Sequence, residues 1–154
     1  MDIDGYNQVN LTNNSSRNDI QPQFSPDGLQ VVFTSVKEDN MEIYIMELEW
    51  YGGYTRYKGI NQMNLSNHAG VDKVPQFSSD GLKVIFESDG DGNYEIYSVY
   101  SDGTNLMNLT NNPGHDRIPY YSPDGQEIVF RTNRDGNDEI YIMDANGTNQ
   151  TRLT

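Results

Sequence analysis

The chain repeats itself three times, and any fold must satisfy all three copies at once. The units end alike, at Leu11-Thr12, Leu65-Ser66, Leu109-Thr110 and Leu153-Thr154. The last two intervals are 44 residues each and the first is 54, so the first unit carries an insertion. Upstream of each ending, Asp19-Ile20-Gln21-Pro22-Gln23-Phe24-Ser25-Pro26-Asp27-Gly28 recurs, with substitutions, over 72–81 and 116–125. A repeat of this size is one supersecondary unit that cannot bury its apolar side chains alone, so neighbouring units must stack.

Each unit reads as four short strands separated by tight turns. The apolar triplets Val31-Val32-Phe33, Val84-Ile85-Phe86 and Ile128-Val129-Phe130 suit strands buried on both faces. The runs Glu42-Ile43-Tyr44, Glu95-Ile96-Tyr97 and Glu139-Ile140-Tyr141 form the next strand, and a more polar fourth strand ends at each Leu. Asp-Gly at 27–28, 80–81 and 124–125 supplies the positive φ of a hairpin turn. Asp91-Gly92-Asn93 and Asp135-Gly136-Asn137 turn the next hairpin, with Glu38-Asp39-Asn40 as a less ideal version. Only 34% of the residues are hydrophobic, which by itself resembles a disordered chain. Their grouping into short runs between turn residues is the mark of an all-β protein.

Radial stacking of four-stranded sheets is a β-propeller, with a linear solenoid as the rival arrangement. The motif resembles the TolB-type propeller repeat family. That signature places an Asp three residues before Pro, then Ser-Pro-Asp-Gly, Arg-Asp-Gly-Asn-x-Glu-Ile-Tyr, a Gly turn and Leu-Thr. The third unit follows it through Asp116, Pro119, Ser122-Pro123-Asp124-Gly125, Arg134-Asp135-Gly136-Asn137, Glu139-Ile140-Tyr141, Gly147 and Leu153-Thr154. The second departs at Ser79 and Gly90, and the first carries Lys37-Glu38-Asp39 in place of Arg-Asp-Gly. The resemblance implies a propeller, commonly six-bladed, that serves as a protein-binding platform or as the gating domain of a serine peptidase. The sequence contains no Gly-x-Ser-x-Gly nucleophile elbow.

One domain over 1–154 is expected, with blades at about 13–66, 67–110 and 111–154 and an extra terminal outer strand over 1–12. The extra strand is read from Met1-Asp2-x-Asp4-Gly5-x-Asn7-Gln8, which matches Met143-Asp144-x-Asn146-Gly147-x-Asn149-Gln150. Propellers hold four or more blades, so three must be completed. Two copies closing one six-bladed ring as a homodimer is the simplest solution, and half of a longer natural propeller is the alternative.

The net charge of −13 argues against a nucleic-acid backbone or an anionic membrane surface as partner, and leaves cations and basic partners open. With no cysteine, neither disulfides nor thiolate metal sites staple the fold. The opening Met1-Asp2-Ile3-Asp4-Gly5 lacks the basic and apolar regions of a secretory leader, which favours the cytoplasm or a leader already removed. Triplets such as Asn10-Leu11-Thr12 match the glycosylation pattern as by-products of the repeat.

Three candidate sites follow. Asp19, Asp72 and Asp116 share one register before the innermost strand, where a complete ring would gather six carboxylates at the channel mouth. Oxygen-rich clusters suit calcium or magnesium, and the competing reading is that each Asp holds its own connection. The face carrying Arg17, Asp19, His68, Asp72, His115, Asp116 and Arg117 is the expected binding face, with no catalytic motif around either histidine. The third site is the insertion from Glu47 to Lys58, a long hairpin bearing Trp50, Tyr51, Tyr54 and Tyr57 around Gly52-Gly53. Such rings either anchor a protein or peptide partner or pack on the chain's own blades. These features describe a non-enzymatic binding module, with a purely structural assembly or a carboxylate-based hydrolase or lyase as alternatives.

Overall fold

The computed structural model describes residues 8–52 and 57–154. Blade 1 comprises β1 (Asn18–Phe24), β2 (Gln30–Lys37), β3 (Asn40–Trp50) and β4 (Tyr57–Asn64). Blade 2 comprises β5 (Lys73–Phe77), β6 (Lys83–Ser88), β7 (Glu95–Tyr100) and β8 (Met107–Asn108). Blade 3 comprises β9 (Asp116–Tyr121), β10 (Glu127–Thr132), β11 (Glu139–Asp144) and β12 (Thr151–Arg152). Each is an antiparallel meander in which sequence neighbours pair. Among the described residues no helix is long and apolar enough to cross a membrane. Of the terminal strand expected over 1–12, residues 1–7 lie outside the described residues, and Val9–Thr12 belong to none of the twelve strands.

The first hairpin turn is built identically three times. Gly28, Gly81 and Gly125 take φ of 73°, 74° and 73°, a region that favours glycine. The preceding carboxylate closes the turn: Asp27 accepts from the Ser25 hydroxyl at 2.6 Å and from the Leu29 N–H at 2.9 Å. Ser78-Asp80-Leu82 and Ser122-Asp124-Gln126 repeat both bonds. The Glu that opens the third strand is likewise structural. Glu42, Glu95 and Glu139 accept from the hydroxyls of Ser66, Thr110 and Thr154, which in turn accept the Ile43, Ile96 and Ile140 N–H groups. The fourth strand is thereby tied to the third even where, as in β8 and β12, it is only 2 residues long.

Alternation in the strands gives every blade two apolar faces, and the core sits between blades. The trailing face of blade 1 (Val32, Ile43, Ile45, Leu65) packs on the leading face of blade 2 (Phe77, Val84, Phe86, Tyr97, Val99). Ile85, Ile96 and Leu109 of blade 2 pack in the same way on Ile128, Phe130, Tyr141 and Met143 of blade 3.

The innermost strand carries a break that the sequence pattern did not indicate. Gln21, Val74 and Ile118, each just before the proline, adopt φ of 53°, 56° and 54°, and the strand register slips there in every blade. For β-branched Val and Ile this left-handed region is strained, by roughly 1–3 kcal/mol each. Neighbouring blades hold the break in place. The Val74 N–H donates to Gln21 Oε1 at 3.1 Å, and the Ile118 N–H donates to Glu87 Oε2 at 2.8 Å. Two further clamps lie alongside, from Phe77 N–H to Gln23 Oε1 at 2.7 Å and from Tyr121 N–H to Gln76 Oε1 at 2.6 Å.

Candidate functional site

In a four-stranded meander the β1–β2 and β3–β4 turns share one end of the blade. The insertion therefore emerges beside the Asp-Gly turns, opposite the face that sequence reasoning favoured for binding. β3 runs for 11 residues where β7 and β11 run for 6, and its extra length pairs Glu49 with Lys58 and Trp50 with Tyr57. The Leu48 N–H donates to the Leu29 carbonyl at 2.8 Å, which fixes the base of this hairpin to the first turn. At its far end the Trp50 and Tyr57 rings meet edge to face at 5.3 Å. Trp50, Tyr51 and Tyr57 are 53%, 47% and 44% exposed. Tyr54 lies outside the described residues.

Below the hairpin, blades 1 and 2 frame a cleft of about 730 Å³ lined by Asp27, Leu29, Glu47, Leu48, Asp80 and Leu82, among others. Ser25 and Ser78 hydroxyls hold the Asp27 and Asp80 carboxyls below the ordinary range, with the Leu29 and Leu82 N–H groups assisting. Both stay ionised near neutral pH beside exposed Leu29 and Leu82. The cleft is acidic and apolar at once, and the strand that carries Trp50 contributes Glu47 and Leu48 to its lining.

On the opposite face, the aligned aspartates have different neighbours in each blade. Asp19 accepts from the Ser35 hydroxyl at 2.7 Å. Asp116, fully buried, accepts from Arg134 Nη2 at 2.9 Å and from Asn112 Nδ2. Asp72, also fully buried, has the His68 Nδ1 at 3.6 Å, and burial pushes its carboxyl up. Among the described residues no three His, Cys, Asp or Glu side chains are placed to hold a metal ion. The cations are occupied too. Arg117 and Lys73 lie 4.3 and 4.7 Å from the Tyr94 ring centre, and both pair with Glu87, at 3.1 and 3.5 Å. His115 Nδ1 accepts the Tyr94 N–H at 3.2 Å.

Sequence reasoning missed one constellation here. Ser88 Oγ lies 3.4 Å from His68 Nε2, which gives Ser88, His68 and Asp72 the atom order of a nucleophilic triad. The contacts are longer than the roughly 2.6–3.2 Å of a working nucleophile–base pair, and Ser88 is fully buried with Gly90 N–H donating to it at 3.2 Å. The group lies within the second repeat, where the His68 ring also meets Tyr97 edge to face at 5.3 Å. Its one signal in the sequence is Gly90, where the motif has Arg: a Cβ there would lie 2.1 Å from the Ala69 carbonyl oxygen of the connection carrying His68.

Solved structures of propellers superpose on this arrangement. The putative TolB of Agrobacterium tumefaciens matches with a TM-score of 0.76 at 22% identity, over 92% of this chain and 50% of that one. TolB of Acinetobacter baumannii gives 0.72 at 29% identity, over 90% of this chain and 33% of that one. A puromycin-hydrolyzing peptidase of Mycobacterium tuberculosis gives 0.73 at 14% identity, over 90% of this chain and 22% of that one, a likeness of fold alone. The chain thus spans at most half the length of these relatives. The model of the TolB β-propeller domain matches residues 1–154. With three meander blades stacked face to face and that match running from end to end, the chain belongs to the TolB β-propeller family.

Proposed function

We propose that the chain is a non-enzymatic propeller platform, closed into a six-bladed ring by a second copy, that captures a basic protein segment or peptide at the β3–β4 hairpin. The observation that carries this reading is the exposed Trp50–Tyr57 pair, carried by the hairpin whose base residues Glu47 and Leu48 line an acidic, leucine-lined cleft. Rigid aromatic rings supply contact area at low entropic cost, and ionised carboxylates steer a cationic partner toward them. The buried Ser88 and the separately engaged aspartates offer no nucleophile or paired acid and base for a hydrolase or lyase.

Trp50 is the only tryptophan in the chain, so its fluorescence reports on this surface directly. Titration with a synthetic peptide alternating lysine and leucine should change that signal saturably and weaken with salt. Tyr57→Ala should lower the affinity by about tenfold with melting temperature unchanged, and Asp80→Asn should lower it as far while also lowering the melting temperature through the lost turn bonds. An equal response to a glutamate–leucine peptide, or no response to either, removes the assignment.

A further inference from the structure

We propose that the segment Val9–Thr12 is a displaceable plug, seated in the socket that Leu153 of a second copy must take when the ring closes. The inference rests on the dimeric closure proposed above.

Leu11 already sits on blade 1 as the outer-strand leucine of a preceding blade would. It packs against Val31, Phe33, Met46 and Leu48, as Leu109 packs within the blade 2–3 core. The backbone geometry repeats as well. The Leu109 carbonyl is 2.7 Å from where a Cβ on Gly147 would lie, and it accepts from Gln150 Nε2 at 3.1 Å. The Leu11 carbonyl is 2.5 Å from the same point on Gly59, and Gln62 Nε2 donates to the Thr12 carbonyl at 3.0 Å.

The plug brings a leucine without the strands beside it. A pocket of about 370 Å³ remains between Leu11 and Ile20, Phe24, Phe33 and Met46. The interior joints fill that space with Val32, Ile43 and Ile45, or with Ile85 and Ile96. Blade 3 presents the matching set on its trailing face: Val129, Ile140, Ile142 and Leu153, none of them buried.

Charge selects the partner. Glu87 on the trailing face of blade 2 meets Arg117 on blade 3. Blade 3 carries Arg131 at the position of Glu87, and this would meet a like charge on any leading face with Lys73 or Arg117 in that register. The leading face of blade 1 has Ile20 there, with half-buried Asp19 beside it. Of the three leading faces, the one that accepts Arg131 is the open one, so the fitting occupant is the trailing face of a second copy.

Leu11 and Leu153 then compete for one socket, and Leu11 is the weaker holder. Thr154 is fixed by donating to Glu139 at 2.8 Å and accepting the Ile140 N–H at 2.9 Å. Among the described residues the Thr12 hydroxyl reaches only Asn10 Oδ1, at 3.4 Å.

The test is light scattering over a dilution series on the full chain and on the Leu11→Asp, Leu11→Ala and Leu153→Asp variants. The two leucines should act with opposite sign. Both Leu11 variants should lower the dimer dissociation constant by about tenfold, the factor that one partly buried leucine is worth, and Leu153→Asp should raise it at least as far. A dimer that Leu11 variants weaken or leave unchanged overturns the plug while leaving closure intact. A mass fixed at 17.5 kDa in the full chain and the Leu11 variants at every concentration overturns closure itself, and the plug with it.

Discussion

The two interior joints and the two outward faces of the arc share most of their apolar residues in register, yet at several of those positions they are in opposite physical states. Phe77 is 5% exposed where its counterpart Phe24 is 64% exposed. Leu65 and Leu109 are 3% and 7% exposed where Leu153 is 55% exposed. Sequence pattern therefore specifies a surface's chemistry, and position in the stack decides whether that chemistry stabilises anything. A repeat of this kind draws its stability from its interfaces with neighbours.

The sharpest way to break the comparison is to truncate one aromatic in each environment. Phe86→Ala empties a fully buried site between blades 1 and 2 and should cost about 3–5 kcal/mol in urea unfolding. Phe24→Ala should cost under about 0.5 kcal/mol at dilutions where the chain is single. Raising the concentration should bring its cost toward that of Phe77→Ala if a second copy covers the face, and a constant small cost would mean that nothing does.

The clamps give a smaller contrast. Gln76→Ala leaves the half-buried Tyr121 N–H without its acceptor and should cost about 1 kcal/mol. Tyr120, the residue in that register on blade 3, is exposed, and Tyr120→Ala should shift the unfolding midpoint by less than about 0.5 kcal/mol. Equal costs would place the stabilisation in the strand itself, not in the joint.

The smallest effect separates joint carboxylates from turn carboxylates by pH. Burial raises Asp72, so its contribution is fully present below the ordinary carboxylate range and is lost as pH climbs through the raised value. Serine hydroxyls lower Asp27 and Asp80, so theirs is present above that range and is lost as pH falls. Melting temperature against pH should therefore show Asp72→Asn gaining on the parent chain as pH rises, and Asp27→Asn gaining on it as pH falls. Parallel curves for both variants would sink the distinction.

Most of the blade was legible in the sequence because its determinants are local. Ser25-x-Asp27-Gly28 closes its own turn, and Glu42, Glu95 and Glu139 recurred in register for a hydrogen bond within each blade. The insertion was legible as aromatic and as breaking the symmetry. Its relation to the cleft was not, because Asp80 and Leu82 come from the next blade. For the aligned aspartates, equal register in the repeat comes with different neighbours: the Ser35 hydroxyl for Asp19, His68 for Asp72 and Arg134 for Asp116. The left-handed residue before each proline left no local trace, and in blades 2 and 3 its support is a side chain tens of residues upstream.

That support has a polarity. In all four inner clamps the acceptor side chain belongs to the earlier blade and the donor N–H to the later one. A blade emerging during synthesis meets a template already in place, and what the template asks of it is a backbone amide, which every residue type except proline provides. At these four positions blade 1 shapes blade 2, and blade 2 shapes blade 3, a direction that suits assembly in chain order. Damage to Gln21 or Gln23 should be felt downstream in blade 2, while equivalent damage in blade 3 stays where it is made.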